Sequence, residues 1–200
     1  MLPGKYNIFD PMTAEQTSAF IQGGEWVGIA PEVRPSIAKS ATGGIQPFYL
    51  TRSFSYSEGD RFRCVVINFA DPNARVPLVK IDISGHLVWQ GPHPIADGAF
   101  MVDYVADVAY EVTPLHSGVV DVFNHFPSAE LKKWEVNGMQ DVKGIAFTPF
   151  GLSGGAIYVD YDLIFIYNEM LFNGSKNVDG RPFDKPENRP TNLQLPLVRR

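Results

Sequence analysis

From Trp26 to Tyr167 the chain is a succession of short apolar runs cut by Gly, Pro, Asn and Asp, a pattern that reads as β-strands joined by tight turns. The strands expected are 26–29, 49–57, 61–70, 76–84, 86–90, 98–105, 108–112, 142–148 and 156–167. Glu58-Gly59-Asp60 links two alternating runs as a hairpin, and Ser84-Gly85 reads as a second such turn. Ahead of the β region, Thr13 to Gln22 reads as a short helix that Thr13 caps, with Gln16 three residues on and Gly23-Gly24 ending it. Pro114 to Phe126 is helical at its centre. The segment from Asn173 to Arg200 is rich in Pro, Asn, Asp and Arg, and is expected as an extended wrap too proline-laden for a central strand.

At 200 residues this is a length that one β-barrel domain commonly fills, and residues 1–200 read as a single domain. Hydrophobic residues at 44% and charged residues at 20% suit a soluble protein able to build a core without staples. A net charge of −5 with scattered Lys and Arg argues against a nucleic-acid partner. No run approaches the roughly 18 apolar residues of a membrane span. Residues Met1 to Pro11 show neither the basic nor the apolar part of a signal peptide. One cysteine, Cys64, cannot make an internal bridge, so a cytoplasmic location is expected.

Two groups of motifs bracket the chain. Near the start stand Gly24-Glu25-Trp26-Val27, Glu32-Val33-Arg34-Pro35 and Phe48-Tyr49-Leu50-Thr51-Arg52. Near the finish stand Leu171-Phe172-Asn173-Gly174, Asp179-Gly180-Arg181-Pro182, Arg189-Pro190-Thr191 and Leu195-Pro196-Leu197-Val198. This set resembles the adenomatosis polyposis coli down-regulated family, whose animal members are membrane-anchored inhibitors of Wnt signalling. The resemblance implies a mainly β fold, a lipocalin-like antiparallel barrel with an apolar pocket, and a hydrophobic ligand, with lipids as the suspected cargo. The family's disulfides are not matched: Pro31 stands where a cysteine precedes the Glu-Val-Arg-Pro run. Its anchor and second tandem domain have no counterpart in these residues, so Wnt binding is not implied.

Gly24-Glu25-Trp26 fits the glycine-any-tryptophan pattern that opens a lipocalin barrel, with the indole plugging the narrow end beneath an arginine from elsewhere. A structural role for Trp26 is weighed against ligand binding. Glu32 and Arg34 share one face of an extended segment, and Arg52 on the next strand could reach them. A carboxylate between two guanidinium groups is either an internal ion-pair network or a clamp for a ligand oxygen. His86, His93, His116 and His125 lack the spacing of a metal site, and no metal or cofactor is expected. A single histidine could still act as an acid or base, and His93 is the candidate. Asp103, Asp107 and Glu111 lie at even spacing beside Tyr104 and Tyr110, either solvated or turned inward with raised pKa values. Asp160 and Asp162, inside an apolar strand, pose the same question. Tyr49, Phe54, Trp89 and Tyr104 are the expected walls of the pocket, while Cys64 reads as an inert core residue.

Two functions compete. One is a carrier of a hydrophobic small molecule (lipid, isoprenoid or polyketide-like) with an Arg/Glu clamp. The other is a cofactor-independent cyclase, isomerase or lyase built from Glu32, Arg34, Arg52, His93 and Asp103 in the same pocket. A carrier needs an apolar pocket with a polar rim, whereas an enzyme should bury at least two titratable groups facing one cavity. An apolar exterior around Ile164 and Ile166 could pair with a second subunit as a homodimer.

Overall fold

A computed structural model describes residues 12–39, 43–94, 96–177 and 179–200. Helix α1, Ala14–Ile21, starts as expected: the Thr13 hydroxyl accepts from the Gln16 backbone N–H at 3.2 Å, and the Gln16 side chain accepts from the Thr13 N–H at 2.8 Å. Gly23 and Gly24 then take φ of 75° and 91°, which turns the chain out of the helix. The strands follow as β1 Glu25–Gly28, β2 Glu32–Lys39, β3 Ile45–Ser57, β4 Arg61–Phe69, β5 Pro77–Pro92 and β6 Phe100–Pro114. Helix α2, Ser117–Asn124, precedes β7 Gln140–Asp141, β8 Val159–Tyr167, β9 Met170–Phe172 and β10 Leu197–Arg199.

Every pairing is antiparallel, and the order β1-β10-β9-β8-β6-β5-β4-β3 returns to β1, closing an eight-stranded barrel. The expected mainly β, lipocalin-like antiparallel barrel is therefore the architecture found. Closure pairs both edge strands of the eight-stranded ring through backbone hydrogen bonds. β2 extends the sheet beside the first half of β3, while β1 pairs with its second half. Among the described residues no helix is long and apolar enough to cross a membrane.

Two core clusters fill the barrel. One surrounds Trp26, with Ile21, Phe54, Phe62, Leu87, Val102, Tyr104, Ile164, Leu171 and Leu197. Trp26 is wholly buried and donates to the Ile21 carbonyl at 2.7 Å, and the Arg199 guanidinium lies 4.7 Å from its ring centre. Trp26 thus plugs one end beneath an arginine. The second cluster, with Phe123, Trp134 and Phe147, packs α2 and its following excursion against the far half of β6.

Three expectations are corrected. Ser84-Gly85 is no hairpin turn, because β5 runs unbroken from Pro77 to Pro92. The partner β6 carries two extra residues there: Ser84 pairs with Ala109, while His86 pairs with Val105. Residues 142–148 are not a strand but turns leading to a short 3-10 helix at Thr148–Phe150, with Val142 buried in the second cluster. The proline-rich tail does supply a barrel strand, since β10 is short enough (Leu197 to Arg199) to begin just after Pro196 and sit between β1 and β9.

Candidate functional site

Alternation along each strand decides what the interior sees. Arg52 and Phe54 on β3 point inward, as do Phe62, Cys64 and Val66 on β4, Ile81 and Ile83 on β5, and Tyr104 and Tyr110 on β6. The β6 bulge adds two residues, an even number, so Tyr104 and Tyr110 keep the same phase on either side of it. Tyr158, Asp160 and Asp162 complete the lining of a cavity of about 180 Å³. β3 and β8 stand four places apart in the eight-membered ring, so Arg52 faces the two aspartates across the interior.

The expected clamp forms. Glu32 Oε2 accepts from Arg34 Nε at 2.8 Å and Nη2 at 2.5 Å, and its Oε1 accepts from Arg52 Nε at 2.9 Å. All three side chains are about 10% exposed. Burial opposes the Glu32 charge, but the Arg52 and Arg34 guanidiniums together hold its carboxyl below the usual glutamate range. Arg34 Nη2 also donates to Gln194 Oε1, which ties the clamp to the tail. Only Arg52 among the three lines the cavity. Its Nη2 is buried with no hydrogen-bond partner in the described structure.

The aspartates oppose it. Asp162 Oδ1 accepts from the backbone N–H of Leu163 at 2.7 Å and of Gly174 at 2.8 Å. Asp160 receives the Tyr158 hydroxyl at 3.4 Å. Burial raises both carboxyls, and the neighbouring Asp162 charge helps push Asp160 up to about 7. Tyr104 belongs to a buried chain: its oxygen lies 2.9 Å from the Tyr56 hydroxyl and accepts from Asn173 Nδ2 at 3.1 Å. Burial lifts the phenols of Tyr56, Tyr104, Tyr110 and Tyr158, so they stay neutral donors near neutral pH. Burial also pushes the Cys64 thiol up to about 12, which leaves it a poor nucleophile although it lines the wall.

Other expected residues lie elsewhere. Asp103 has the outward phase: it accepts from Arg189 Nη2 at 2.5 Å and Gln90 Nε2 at 2.7 Å, and so anchors the tail. His93 Nδ1 accepts from the Ala96 N–H at 3.0 Å, which leaves Nε2 to donate to the Pro190 carbonyl at 3.1 Å. Neither lines the cavity. Trp89 donates to Asp60 at 3.0 Å, and Tyr49 has the opposite phase to Arg52, so neither is a wall. Trp26 is the plug, while Phe54 and Tyr104 are walls as expected.

Ile164 is fully buried and Ile166 packs against the same core, so the surface expected for a homodimer faces inward. Tyr158 was not among the expected walls, and Asp160 and Asp162, left open between solvent and interior, turn inward with it. Their signal was the polar interruption of an apolar strand, read without knowing which face turned in. No family model matches the chain.

Proposed function

We propose that the barrel binds a small, mainly apolar molecule bearing one carbonyl or carboxylate oxygen, which docks on Arg52. The observation that carries this reading is Arg52, whose buried Nη2 has no hydrogen-bond partner in the described structure, on the wall of a cavity whose apolar lining is Phe54, Phe62, Val66, Ile81 and Ile83. A buried donor without a partner costs about 1–3 kcal/mol, and a ligand oxygen would remove that penalty. Glu32 and Arg34 then act as the frame that aims Arg52 and do not themselves touch ligand.

The size of the cavity narrows the class. About 180 Å³ is below the roughly 300–1,000 Å³ of drug-sized pockets, so a short isoprenoid, a small cyclic ketone or a fragment of a lipid chain fits better than a long fatty acid. With this reading goes the proposal that the chain is a cysteine-poor relative of the adenomatosis polyposis coli down-regulated family and works in the cytoplasm on a small molecule. The test is native mass spectrometry of the protein purified from its own host, followed by denaturing extraction. A stoichiometric small oxygenated compound, lost in Arg52→Leu, is the expected result. An empty barrel that also ignores a panel of such compounds would overturn the reading.

A further inference from the structure

Ligand docking on Arg52 leaves the acidic wall opposite it without a task. A purely passive apolar pocket has no need of two carboxylates, and burying them is costly unless something uses them. Asp162 is fixed by two backbone N–H donors, whereas among the described residues Asp160 keeps a single long contact, to the Tyr158 hydroxyl. Asp160 pairs with Tyr104 across the β6–β8 ladder, which sets its carboxylate beside a neutral phenol on the same wall.

We propose that Asp160 is the general base and acid of a cofactor-independent enolising enzyme, acting on a small ketone whose carbonyl oxygen rests on Arg52. This rests on the binding reading above. The Asp160 carboxylate takes a proton from the carbon next to the carbonyl. The C–H electron pair becomes a carbon–carbon double bond, and the carbonyl π pair moves onto oxygen. The Arg52 guanidinium faces that oxyanion and stabilises it. Protonated Asp160 trades its proton with solvent and delivers the new one to the same carbon, giving exchange, or delivers its proton to a conjugated carbon further along, giving an isomer. In either case the oxyanion pair re-forms the carbonyl. The aspartate ends as it began, and no oxidant or reductant is consumed.

The groups that bias Asp160 come from every side. Asp162 and Tyr158 flank it on its own segment, Arg52 and Arg34 come from β3 and β2, Cys64 from β4, Tyr104 and Tyr110 from β6, and Lys176 from the tail. Asp162 ionises first, because it has the backbone donors, and Asp160 is left to titrate near neutrality. A base poised there holds both protonation states in useful amounts.

The experiment uses the full chain with cyclohexanone in deuterium oxide. Deuteration next to the carbonyl is followed by proton NMR, and binding by saturation transfer from the protein. The expected result is binding, with exchange at least about a hundredfold faster than in Asp160→Asn. The wild-type rate should rise with pH to a plateau, with a midpoint near 7. Binding without accelerated exchange overturns the catalytic proposal and leaves the binding reading standing. Absence of both overturns the two together. A rate that is independent of pH between 5 and 9, roughly two units either side of that midpoint, also overturns the role of Asp160. The wild-type readouts decide the matter even if Asp160→Asn fails to fold.

Discussion

Glu32 holds two guanidinium groups inside the protein, and the consequences of that one carboxylate can be worked out. Removing it leaves Arg34 and Arg52 buried beside each other with like charges and without the carboxylate that hydrogen-bonds to both. Breaking a buried pair in this way costs about 3–5 kcal/mol, so Glu32→Ala should shift the urea midpoint far more than an exposed Glu→Ala elsewhere. Asp160 has the opposite linkage. Its folded pKa, about 7, lies above the ordinary 3.8, so the folded state takes up a proton between those values and stability falls as pH rises through that window. Denaturant midpoints measured across that range should show the decline in the wild type, and Asp160→Asn should remove its share of it. The clamp was legible because Glu32, Arg34 and Arg52 sit in phase on adjoining extended segments. The aspartates were visible but ambiguous: a period of two looks the same from either face, so Asp103 and Asp160 could not be sorted into outside and inside before the ladder was known.

Gly85 shows how a strand can look like two. Its side-chain position abuts the Val105 carbonyl where β6 bulges, and a Cβ there would collide with that backbone oxygen. Gly85→Ala should therefore cost about 3 kcal/mol or more, read as a lower melting temperature, although its φ is unremarkable. Locally, Ser-Gly between apolar runs signals a bulge and a turn equally well, which is why β5 read as two strands. Helix α1 was legible because its capping box is written in four consecutive residues, Thr13 to Gln16. Residues 142–148 read as a strand from their apolar content, yet their side chains serve an aromatic cap with Phe147 against Phe123 and Trp134. The tail is held by Arg189, which donates to the Val102 and Asp162 carbonyls at 2.8 and 2.5 Å and to Asp103. Arg189→Ala should leave Asp103 buried with only Gln90 as a partner and free the tail. Limited proteolysis should then cut between residues 173 and 195 faster than in the wild type, before any loss of barrel signal.

Closure of the whole barrel depends on three residues far along the chain. β10 lies between β1 and β9, with Leu197 fully buried, Trp26 opposite Arg199, and the Arg200 N–H donating to the Glu25 carbonyl at 2.7 Å. The partners β1 and β10 are separated by most of the sequence, so their pairing carries a large loop-closure entropy and must come late or be held by neighbouring contacts. The Arg199 guanidinium over Trp26, and its bond to the Phe20 carbonyl, provide such contacts at the plugged end. A chain ending at Pro196 loses the strand, the cation over the indole and the Leu197 side chain together. Hydrogen exchange on that truncated chain should find the β1 and β9 amides open, while β4, β5 and the second half of β6, which pair among themselves, keep their protection. Uniform protection would mean that β1 and β9 close the ring without β10. Uniform loss would mean that the barrel folds only as a closed unit, with the cavity and its Arg52–Asp160 opposition existing only once the last strand is in place.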